Sequence, residues 1–587
     1  MTTASDDRPW LKYYDGAPAD IDVPDTTMYE ALAAQAARTP AATAVIFMGR
    51  RFTYAQALAE VDACAAAFRA LGVGPRDSVV LSLPNVPTVV ICFYALNRLG
   101  AVAVMTHPLS SPGELRHYIA MTGARTVVTL DMFYPVFHEL AADAGLERLV
   151  IGSLADYLPP VTKVGYALTR GRKMPPVPTD DPLVTRWAAF LAGGAGVTVP
   201  PVRQLTPEDT CTVLFSGGTT DLPKGIELTS AAFNALAKSM VAISGIAPGD
   251  SVLAILPAFH GFGLGLCIHT ALTMGAHFVL VPEFSPKIYI ANLKKHHPSY
   301  IAGVPTLFEA LLRDPAFAEV RFSSLKGAFS GGDMLSADLK HRFDAALFAQ
   351  GSPIELMEGY GLTECVTGCV LSPPRHYREN AMGIPTPGMR MKVVEPGTTR
   401  ELPPDTEGEF AMTGPTLMKG YLGDPAATAD TLRVHGDGRT WLHTGDLGTM
   451  DADGYLYFRG RSKRLIKVSG VAVYPVQVEQ VLEAHPLVAR ACVIGLPDDY
   501  QMASVKAFVV LADGSLGGDA VKAELIAYCR QHLNKWSVPR HLEFRTSLPM
   551  TKVGKIAYTD LEREEAERAG GAVDGEVAGG AGSAGAR

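Results

Sequence analysis

The feature of this sequence that most constrains its fold is an alternation of short apolar segments with longer segments of helical spacing. Residues 77–84, 126–131, 251–257 and 275–282 are short, rich in Val, Ile and Leu, and typical of buried strands. Residues 53–73 instead carry apolar side chains at helical spacing. Helices between buried strands are typical of largely parallel sheets that are covered on both faces. The sequence therefore predicts an α/β fold.

Two longer apolar segments require a choice between a buried element and a membrane span. Residues 89–106 are interrupted by Asn97 and a following arginine, which predicts a helix, a turn and a strand. Residues 261–284 are long enough to cross a bilayer, but they contain two histidines and are broken by Gly275. A buried helix followed by a β-branched strand is therefore expected for this segment as well.

The length of the chain predicts more than one domain. A chain of 587 residues with 48% hydrophobic residues exceeds one ordinary core. Residues 155–205 are rich in Pro and Gly and predict an irregular surface insertion. Near residue 386 the pattern changes to short strands and turns, and a compact α/β module follows Arg461. The predicted divisions are an N-terminal domain (1–461), a connecting segment (462–466), a C-terminal domain (467–566) and a disordered, low-complexity tail (567–587).

Charge and cysteine content narrow the functional class and the compartment. A net charge of −8 argues against a nucleic-acid-binding protein. The eight cysteines include no C-x-x-C pair, so neither a zinc site nor a disulfide framework is indicated. The first ten residues are polar and acidic, which is not typical of a signal peptide. A reducing, cytoplasmic setting is therefore expected.

The segment FSGGTTDLPKG at residues 215–225, here called the phosphate loop, is typical of anion binding. Gly217–Thr220 can present backbone N–H groups and hydroxyl groups, and Lys224 adds a positive charge. The order Pro-Lys-Gly followed by a strand-like segment differs from the usual nucleotide P-loop, which ends in Gly-Lys-Ser/Thr and opens a helix. From these residues alone, a hairpin with a solvated lysine is an equal alternative.

Four further segments, each weak by itself, accompany the phosphate loop along the chain. Taken together and in this order, the five motifs closely resemble those of the adenylate-forming superfamily. That superfamily includes acyl-CoA synthetases, nonribosomal adenylation domains and firefly-type luciferases. The resemblance extends from about Met28 to Leu561 and is strongest to medium- and long-chain fatty-acid–CoA ligases. The four segments are LPAFHGFG (256–263), MEGYGLTECVTG (357–368), the stretch from WLHTGD to KVSG (441–470) and MTKVGKIAY (550–558).

The resemblance implies both a fold and a reaction. The implied fold is a large N-terminal domain of stacked α/β sheets with a β-rich subdomain, followed by a small mobile C-terminal α/β domain. The implied reaction has two steps: a carboxylate attacks the α-phosphate of ATP to give an acyl-adenylate and pyrophosphate, and a thiol then displaces AMP. ATP, Mg²⁺, a carboxylic acid and coenzyme A are the implied substrates and cofactor.

The resemblance also assigns the ATP site, residue by residue. The phosphate loop would hold the β- and γ-phosphates, and Glu364 would bind Mg²⁺ together with Ser216. Tyr360 would stack on adenine, Asp446 would accept from both ribose hydroxyls, and Arg461 would reinforce Asp446. The remaining residues of this implied site are Gly217, Gly218, Thr219, Thr220 and Lys224 in the loop, Gly331, Gly332 and Asp333 on the other side of the base, and Gly359 and Gly361 beside Tyr360.

Three residues have implied catalytic roles. Thr363 would hydrogen-bond the α-phosphate, and Lys555 would place a cation where the carboxylate meets that phosphate. His260 would lie where the acyl pocket meets the thiol tunnel. If the resemblance is set aside, the alternative interpretation is that Tyr360 and His260 are core side chains and that Arg461 forms a surface ion pair. Those alternatives stay open at the level of the sequence.

The sequence departs from the family pattern at two positions of the phosphate loop. Asp221 stands where the family usually has Gly, and a carboxylate beside bound polyphosphate is unfavourable unless it points away or is paired. Gly217 stands where Ser or Thr is more common, which removes one hydroxyl donor. These departures bear on how tightly ATP binds and remove no catalytic charge.

The motifs define the acyl acceptor and the acid substrate less well than they define the ATP site. The segment GRSKRLIKVSG (460–470) resembles the hinge of CoA-using members, with Lys463 at the pivot and Ser469 and Gly470 toward the pantetheine. Fatty-acyl-AMP ligases that load acyl carrier proteins are similar but usually carry an insertion here, and none is evident. No acidic residue follows the 256–263 segment before Glu283, so an amino-acid substrate is not indicated.

The expected acyl pocket is apolar and suits a medium or long alkyl chain, and an aryl acid stays open. Three hypotheses follow: a fatty-acid–CoA ligase, an acyl-AMP ligase that loads a carrier protein, and an ATP-binding pseudoenzyme weakened at Asp221. Exchange of pyrophosphate into ATP separates the third hypothesis from the other two. The expected pocket residues are Phe262, Gly263, Gly303, Val304, Gly361 and Val366.

One basic segment is not explained by the reaction. Residues 162–174, TKVGYALTRGRKM, combine apolar residues at helical spacing with four Lys or Arg residues in a chain that is acidic overall. A short surface helix with solvated charges is one interpretation. Peripheral contact with an anionic membrane, where a fatty acid partitions, is the other.

Overall fold

The computed structural model describes residues 8–202, 205–215, 223–283, 285–498, 501–551 and 555–577, with the side chains of residues 569–577 left aside. Within these ranges no helix is both long and apolar enough to cross a membrane. The two long apolar segments form the predicted helix–strand pairs. The first pair is Pro87–Leu99 with Val102–Thr106, and the second is a π-helix, Phe262–His269, and a short α-helix that lead into His277–Leu280.

Helices and strands alternate up to residue 215, as the sequence predicts. Capping boxes open several of these helices, and Thr27 with Glu30 is one example. The elements in chain order are α1 Met28–Arg38, β1 Thr43–Phe47, β2 Arg50–Thr53, α2 Tyr54–Ala70, β3 Ser78–Ser82, α3 Pro87–Leu99, β4 Val102–Thr106, α4 Pro112–Thr122, β5 Thr126–Leu130, α5 Tyr134–Ala144, β6 Arg148–Gly152, α6 Pro160–Leu168, β7 Val184–Arg186, α7 Trp187–Gly193 and β8 Thr210–Phe215.

The middle of the chain first continues the alternation and then becomes mainly strand. The elements are β9 Gly225–Thr229, α8 Ser230–Ser244, β10 Ser251–Ala254, α9 Thr270–Met274, β11 His277–Leu280, α10 Pro286–His296, β12 Tyr300–Gly303, α11 Pro305–Arg313, β13 Gly327–Gly331, α12 Ala337–Ala349, β14 Leu356–Tyr360, β15 Val370–Leu371, β16 Ile384–Pro385, β17 Arg390–Val394, β18 Gly408–Thr413, β19 Gly420–Tyr421, α13 Pro425–Thr431, β20 Leu432–Val434, β21 Thr440–Met450 and β22 Leu456–Arg461.

The C-terminal part is a small α/β unit. Its elements are β23 Ile466–Val468, β24 Val471–Val473, α14 Pro475–Glu483, β25 Val488–Asp498, β26 Met502–Leu511, α15 Asp519–His532, β27 His541–Phe544 and α16 Tyr558–Val577. Short 3₁₀ helices complete the described chain at Pro9–Tyr13, Asp131–Phe133, Leu154–Tyr157, Arg170–Lys173, Pro315–Glu319, Thr363–Cys365 and Ser462–Arg464.

Two large, mostly parallel sheets form the N-terminal part. The nine-stranded sheet has the order β16-β15-β14-β13-β12-β10-β11-β1-β2, and the eight-stranded sheet has the order β19-β9-β8-β4-β3-β5-β6-β7. One apolar cluster joins residues of both sheets and includes Phe47, Phe68, Tyr94, Phe233 and Phe278, all almost fully buried. A second cluster packs α4 and α5 on the far face of the eight-stranded sheet. The predicted α/β class is confirmed.

A glycine at the end of α3 shows how local sequence sets one of these connections. Gly100 has φ of +67°, a left-handed conformation that ends the helix before β4. A Cβ atom at this position would lie 1.7 Å from Cδ1 of Leu205. Gly100 is therefore required both by the backbone turn and by the packing beside it.

The β-rich subdomain and the C-terminal unit each have their own core. Strands β17, β18, β21 and β20 pair in that order, with β22 on β21, and they enclose a cluster rich in methionine. In the C-terminal unit, β25, β26 and β27 form one sheet and β23 pairs with β24. Buried residues such as Val478, Val493, Val509 and Leu525 form its separate core.

Two predictions about irregular segments are corrected. Residues 155–205 are not simply an insertion, because β7 joins the eight-stranded sheet beside β6 and α7 buries Trp187 and Phe190. These aromatic side chains bury enough apolar surface to order a Pro- and Gly-rich segment. The tail expected from residue 567 is helical to Val577, and Arg568 bonds Glu543 and Glu565 at 3.0 and 2.6 Å. Residues 578–587 lie outside the described residues.

Candidate active site

One cavity of about 830 Å³ lies between the N-terminal sheets and the C-terminal unit. Its wall brings together residues that the sequence places in separate motifs. The predicted site residues that line it are His260, Gly331, Gly332, Asp333, Gly359, Tyr360, Gly361, Thr363, Glu364, Asp446, Arg461 and Lys555. Ser216, Gly217, Gly218, Thr219, Thr220 and Asp221 lie outside the described residues, and Pro223 of the phosphate loop lines the cavity.

Asp446 is the buried centre of the charged side of this cavity. Its side chain is 1% exposed, the hydroxyl of Tyr360 donates to Oδ2 at 2.6 Å, and Nε of Arg461 lies 3.0 Å from Oδ1. Register also pairs Asp446 with Arg461 across β21 and β22. Burial raises the pKa of Asp446, while Arg461, Tyr360 and Lys555 act in the opposite direction. The carboxylate is thus held by neighbours on two sides.

Lys555 reaches the same cavity from the C-terminal unit. Its backbone is bonded to Thr551: the Thr551 N–H donates to the Lys555 carbonyl oxygen at 2.6 Å, and the Lys555 N–H donates to the Thr551 hydroxyl at 3.0 Å. A Cβ atom on Gly332 would lie 3.8 Å from Cε of Lys555. Burial and the charge of Arg461 lower the pKa of Lys555, whereas Asp333 and Asp446 raise it.

Glu364 and Lys224 are connected through Tyr421, a residue that sequence reasoning did not identify. The Tyr421 hydroxyl donates to Oε1 of Glu364 at 2.9 Å, and Nζ of Lys224 lies 4.6 Å from the centre of the Tyr421 ring. Tyr421 is in β19, which pairs with β9 directly after the phosphate loop. The signal for Tyr421 lies in this strand pairing, which no local pattern in the sequence reveals.

Comparison with protein families gives the assignment. The AMP-binding enzyme family matches residues 32–422, and the AMP-binding enzyme C-terminal domain matches residues 477–555. The chain belongs to the AMP-binding enzyme family. The resemblance inferred from the five motifs is therefore confirmed over most of the chain.

Named relatives of this AMP-binding enzyme are acyl-CoA ligases. A long-chain-fatty-acid–CoA ligase of Bacillus subtilis (strain 168) is 32% identical over 573 residues, which cover 95% of this chain and 98% of the relative. A feruloyl-CoA synthase of an Amycolatopsis species is 31% identical over 534 residues, covering 90% and 97%. The crystal structure of an anthranilate CoA ligase in complex with anthranoyl-AMP superposes with a TM-score of 0.81 at 25% identity, covering 94% and 99%. By class, this AMP-binding enzyme is an AMP-forming acid–thiol ligase.

His260 of the ligase is a neutral side chain in the cavity wall. The backbone N–H of Phe262 donates to its Nδ1 at 3.2 Å, so the proton of the neutral ring lies on Nε2. Burial lowers the pKa of His260 to about 4, and the charge of Lys555 acts in the same direction. At neutral pH this ring can donate or accept a hydrogen bond but adds no positive charge.

The apolar arm of the cavity differs from the pocket predicted from the sequence. Phe262 and Gly361 line the cavity, but Gly263, Gly303, Val304 and Val366 are not among the lining residues. A Cβ atom on Gly263 would lie 2.2 Å from the Pro257 carbonyl oxygen, so Gly263 packs tightly against the backbone of Pro257. The apolar wall comes instead from α8, β10, β12 and β13, through Met240, Ile246, Val252, Tyr300, Ile301, Ala302 and Phe329.

Tyr300 and Phe329 are the large aromatic residues of this apolar arm. Their rings stack with centroids 6.4 Å apart and planes 6° apart. The Tyr300 hydroxyl donates to the carbonyl oxygen of Ser244 at 3.0 Å. In the sequence these residues could not be told from ordinary core strands, because a pocket wall and a core face have the same apolar pattern.

The residues predicted to face the pantetheine are not at the cavity. Ser469 and Gly470, with φ of +50° and +80°, form the exposed turn between β23 and β24. The Ser469 N–H donates to the Gln501 carbonyl oxygen at 2.8 Å. Lys463 is exposed within the 3₁₀ helix Ser462–Arg464. In this arrangement of the C-terminal unit, Lys555 and not Gly470 reaches the cavity.

Proposed function

We propose that this ligase activates a medium- or long-chain fatty acid as its acyl-adenylate and then transfers the acyl group to coenzyme A, with release of pyrophosphate and AMP. The observation that carries the proposal is the continuity of one 830 Å³ cavity. The same cavity contains the Asp446–Lys555 charge cluster and an apolar arm that includes Met240 and Phe329. A carboxylate with an alkyl tail is the ligand class that such a space fits.

The nucleotide is proposed to bind on the charged side of the cavity. Asp446 accepts from the ribose hydroxyls, Tyr360 stacks on adenine, and Thr363 donates to the α-phosphate. Gly331, Gly332 and Asp333 line the other side of the base. None of these groups carries a positive charge. The phosphates therefore depend on Lys224 of the phosphate loop and on Lys555 for the positive charge that balances them.

Glu364 fits a role as ligand of a magnesium ion. Mg²⁺ is usually held by one or two carboxylates together with substrate phosphates. Among the described residues no group of three or more His, Cys, Asp or Glu side chains could hold a metal without such a substrate. Glu364 keeps one oxygen on the Tyr421 hydroxyl, and Ser216 is the proposed second ligand. When bound, the ion would neutralise charge on the phosphates.

Lys555 is the proposed catalytic cation. The attacking carboxylate and the α-phosphate are both anions, so their approach is unfavourable without a positive charge between them. Lys555 lines the cavity, and its backbone is bonded to Thr551. The two bound anions would raise its pKa again and keep the ammonium group protonated. His260, whose ring is uncharged at neutral pH, is proposed to position the acyl carboxylate by a hydrogen bond.

An aryl acid is the second candidate substrate. The aromatic pair Tyr300 and Phe329 in the apolar arm can pack on a ring as well as on an alkyl chain. The feruloyl-CoA synthase relative and the anthranilate ligase structure are named for aryl acids, whereas the Bacillus relative is named for fatty acids. A carrier protein as acceptor and a nucleotide-binding protein without catalysis are the remaining alternatives.

Pyrophosphate exchange into ATP over a panel of acids tests the proposal. The panel comprises saturated acids of graded chain length together with benzoate and cinnamate derivatives. We expect exchange to peak at a medium or long chain. Below that optimum, each added methylene that becomes buried should increase exchange by the equivalent of at most about 0.8 kcal/mol. Highest exchange with an aryl acid would replace the fatty-acid proposal, and no exchange with any acid despite ATP binding would favour a pseudoenzyme.

A variant of the apolar arm tests whether this part of the cavity holds the acyl chain. Met240→Trp should fill the arm and move the optimum to shorter acids, with the KM for ATP unchanged. Met48→Trp, at a residue 44% exposed in the turn between β1 and β2, is the matched control. Addition of coenzyme A or of an acyl carrier protein to preformed adenylate then identifies the acceptor.

We also propose peripheral attachment to anionic membrane through residues 162–174, here called the basic segment, together with the start of α6. No residue of α6 is buried, and Val161, Val164 and Leu168 are 85%, 61% and 58% exposed. Arg172 and Lys173 follow in the 3₁₀ helix. Arg170 lies 3.2 Å from Glu283, so part of its charge is already balanced. An exposed apolar stripe flanked by cations is complementary to an anionic lipid surface.

A further inference from the structure

Two cysteines are in contact directly beneath the nucleotide motif. The sulfur atoms of Cys365 and Cys369 lie 2.6 Å apart, and both side chains are fully buried in the methionine-rich cluster of the β-rich subdomain. The other close pair of described thiols, Cys64 and Cys92, is 3.8 Å apart, between α2 and α3. We refer to Cys365 and Cys369 as the dithiol pair.

An unusual turn brings the dithiol pair together. Four residues of extended chain would separate the two residues by about 13 Å. Val366 and Thr367 instead have φ of +53° and +67°, and the Thr367 N–H donates to the Leu362 carbonyl oxygen at 2.8 Å. β-Branched residues rarely adopt this left-handed conformation, because the Cβ substituents crowd the backbone. The contact between the thiols is therefore a built feature of the turn.

The dithiol pair lies behind the cavity wall. Leu362, Thr363 and Glu364 precede Cys365 and line the cavity, and Thr367, Gly368 and Val370 on either side of Cys369 do so too. A small oxidant that enters the cavity meets the residues that flank both cysteines along the chain. Bound ATP would cover these residues.

We propose that the dithiol pair is a reversible redox site that switches adenylation off when Cys365 and Cys369 form a disulfide. Hydrogen peroxide oxidises one thiol to a sulfenic acid and is reduced to water. The second sulfur attacks the sulfenic sulfur, and its proton leaves with the hydroxyl group as a second water. In total, two S–H bonds and one O–O bond break, and one S–S bond and two O–H bonds form. Dithiothreitol reverses the reaction by two thiol–disulfide exchanges.

The expected inhibition follows because the turn also positions residues of the cavity wall. A disulfide requires an S–S distance of about 2.05 Å and Cβ atoms about 3.5–4.5 Å apart with a dihedral near 90°. The adjustment moves the turn that holds Thr363 and Glu364, and it moves Cys369, whose N–H donates to the Tyr360 carbonyl oxygen at 3.1 Å. A misplacement of about 1 Å can cost roughly a hundredfold in rate. This inhibition rests on the proposed function, whereas formation of the disulfide does not.

Peptide mapping tests the disulfide independently of activity. Trypsin releases residues 343–375 as one peptide whose only cysteines are Cys365 and Cys369. After limited peroxide treatment and alkylation under denaturing conditions, we expect this peptide to be lighter by two hydrogen atoms and to carry no alkyl group. Saturating ATP should slow its formation. Two alkylated cysteines in the treated peptide would overturn the proposal.

Pyrophosphate exchange measured on the same samples tests the switch. We expect treated enzyme to lose at least about tenfold in exchange, or 1.4 kcal/mol in the barrier, and dithiothreitol to restore both exchange and alkylation. Cys369→Ala, or Cys365→Ala if the first variant folds poorly, should keep its exchange after treatment, whereas Cys64→Ala should behave like the wild type. Disulfide formation with unchanged exchange would overturn the switch, and absence of exchange before treatment would count against the proposed function alone.

Discussion

The hydroxyl group of Tyr360 donates a 2.6 Å hydrogen bond to Oδ2 of Asp446, the most deeply buried carboxylate of the cavity. Hydrogen bonds to charged groups contribute about 1.5–3 kcal/mol, and a buried carboxylate that loses its donor is costly. The ribose hydroxyls of ATP are expected to supply donors to the same carboxylate. Tyr360 stabilises Asp446, and a bound nucleotide is expected to stabilise the same carboxylate.

The first prediction concerns Tyr360→Phe, which keeps the ring and removes the donor. We expect a lower melting temperature without nucleotide and a larger increase on addition of ATP than in the wild type, because ribose donors then satisfy Asp446. Thermal unfolding with and without ATP measures both shifts. Tyr300→Phe removes a hydroxyl that bonds Ser244 and should leave the ATP increment unchanged. Equal ATP increments in Tyr360→Phe and the wild type would contradict the prediction.

The second prediction concerns the cation at Lys555. Lys555→Ala should lower pyrophosphate exchange by about a hundredfold or more, because a preorganised charge at the reacting centre is worth that much. Thioester formation from supplied acyl-adenylate should remain within a few-fold of the wild type, since no two anions are joined in that step. Lys535→Ala, at an exposed lysine of the same unit, is the control. Equal loss in both half-reactions would show that Lys555 has another role.

The third prediction concerns rotation of the C-terminal unit. With Lys555 at the cavity and Gly470 exposed, transfer to coenzyme A requires a second arrangement. Lys463→Pro restricts φ at the expected pivot, so adenylate should form at a near-normal rate while thioester formation is slow. Lys463→Ala removes the same side chain without this restriction and should turn over normally. Single-turnover measurements of both steps check this, and unimpaired overall turnover of Lys463→Pro would exclude Lys463 as the pivot.

The fourth prediction concerns pH and Glu358. Burial raises the pKa of Glu358 to about 7, and Asp333 adds to this while the Leu335 N–H and Lys340 oppose it. The folded protein binds more protons than the unfolded chain between pH 4.5 and 7, so stability falls as the pH rises through this window. Glu358→Gln cannot ionise and should gain up to about 3 kcal/mol relative to the wild type at pH 8.

Melting temperatures at pH 5 and pH 8 measure this effect. The difference between Glu358→Gln and the wild type should be small at pH 5 and positive at pH 8. Glu379→Gln, at an exposed neighbouring position, should show no such change. A difference that is the same at both pH values would contradict the prediction, because it would mean that Glu358 does not change its protonation state between pH 5 and pH 8.

The fifth prediction concerns the basic segment. Lys and Arg near an anionic membrane contribute on the order of 1 kcal/mol each, so the protein should sediment with anionic liposomes at low salt and not at high salt. The triple variant Arg170/Arg172/Lys173→Ala should lose this binding. A matched triple variant of α10, Lys287/Lys294/Lys295→Ala, should retain it. Sedimentation that the first variant leaves unchanged would identify the segment as an ordinary surface helix.

Much of the charged side of the cavity could be predicted from the sequence. Tyr360, Glu364 and Asp446 each lie within a short motif whose neighbours determine the local backbone, and the structure brings all three to the wall of one cavity. The strands were predictable for a similar reason, because apolar periodicity reports burial within a few residues. The five short motifs and this periodicity determined the α/β class and the family.

Only the tertiary structure decided which distant residues meet. Tyr421 reaches Glu364 through the pairing of β19 with β9, Lys555 reaches the cavity through the placement of a separate unit, and the apolar arm arises where four core elements leave a space. Likewise, two left-handed residues bring Cys365 against Cys369, and two aromatic residues order a segment rich in Pro and Gly. Sequence patterns report local conformation and burial, whereas these contacts depend on how whole elements pack against one another.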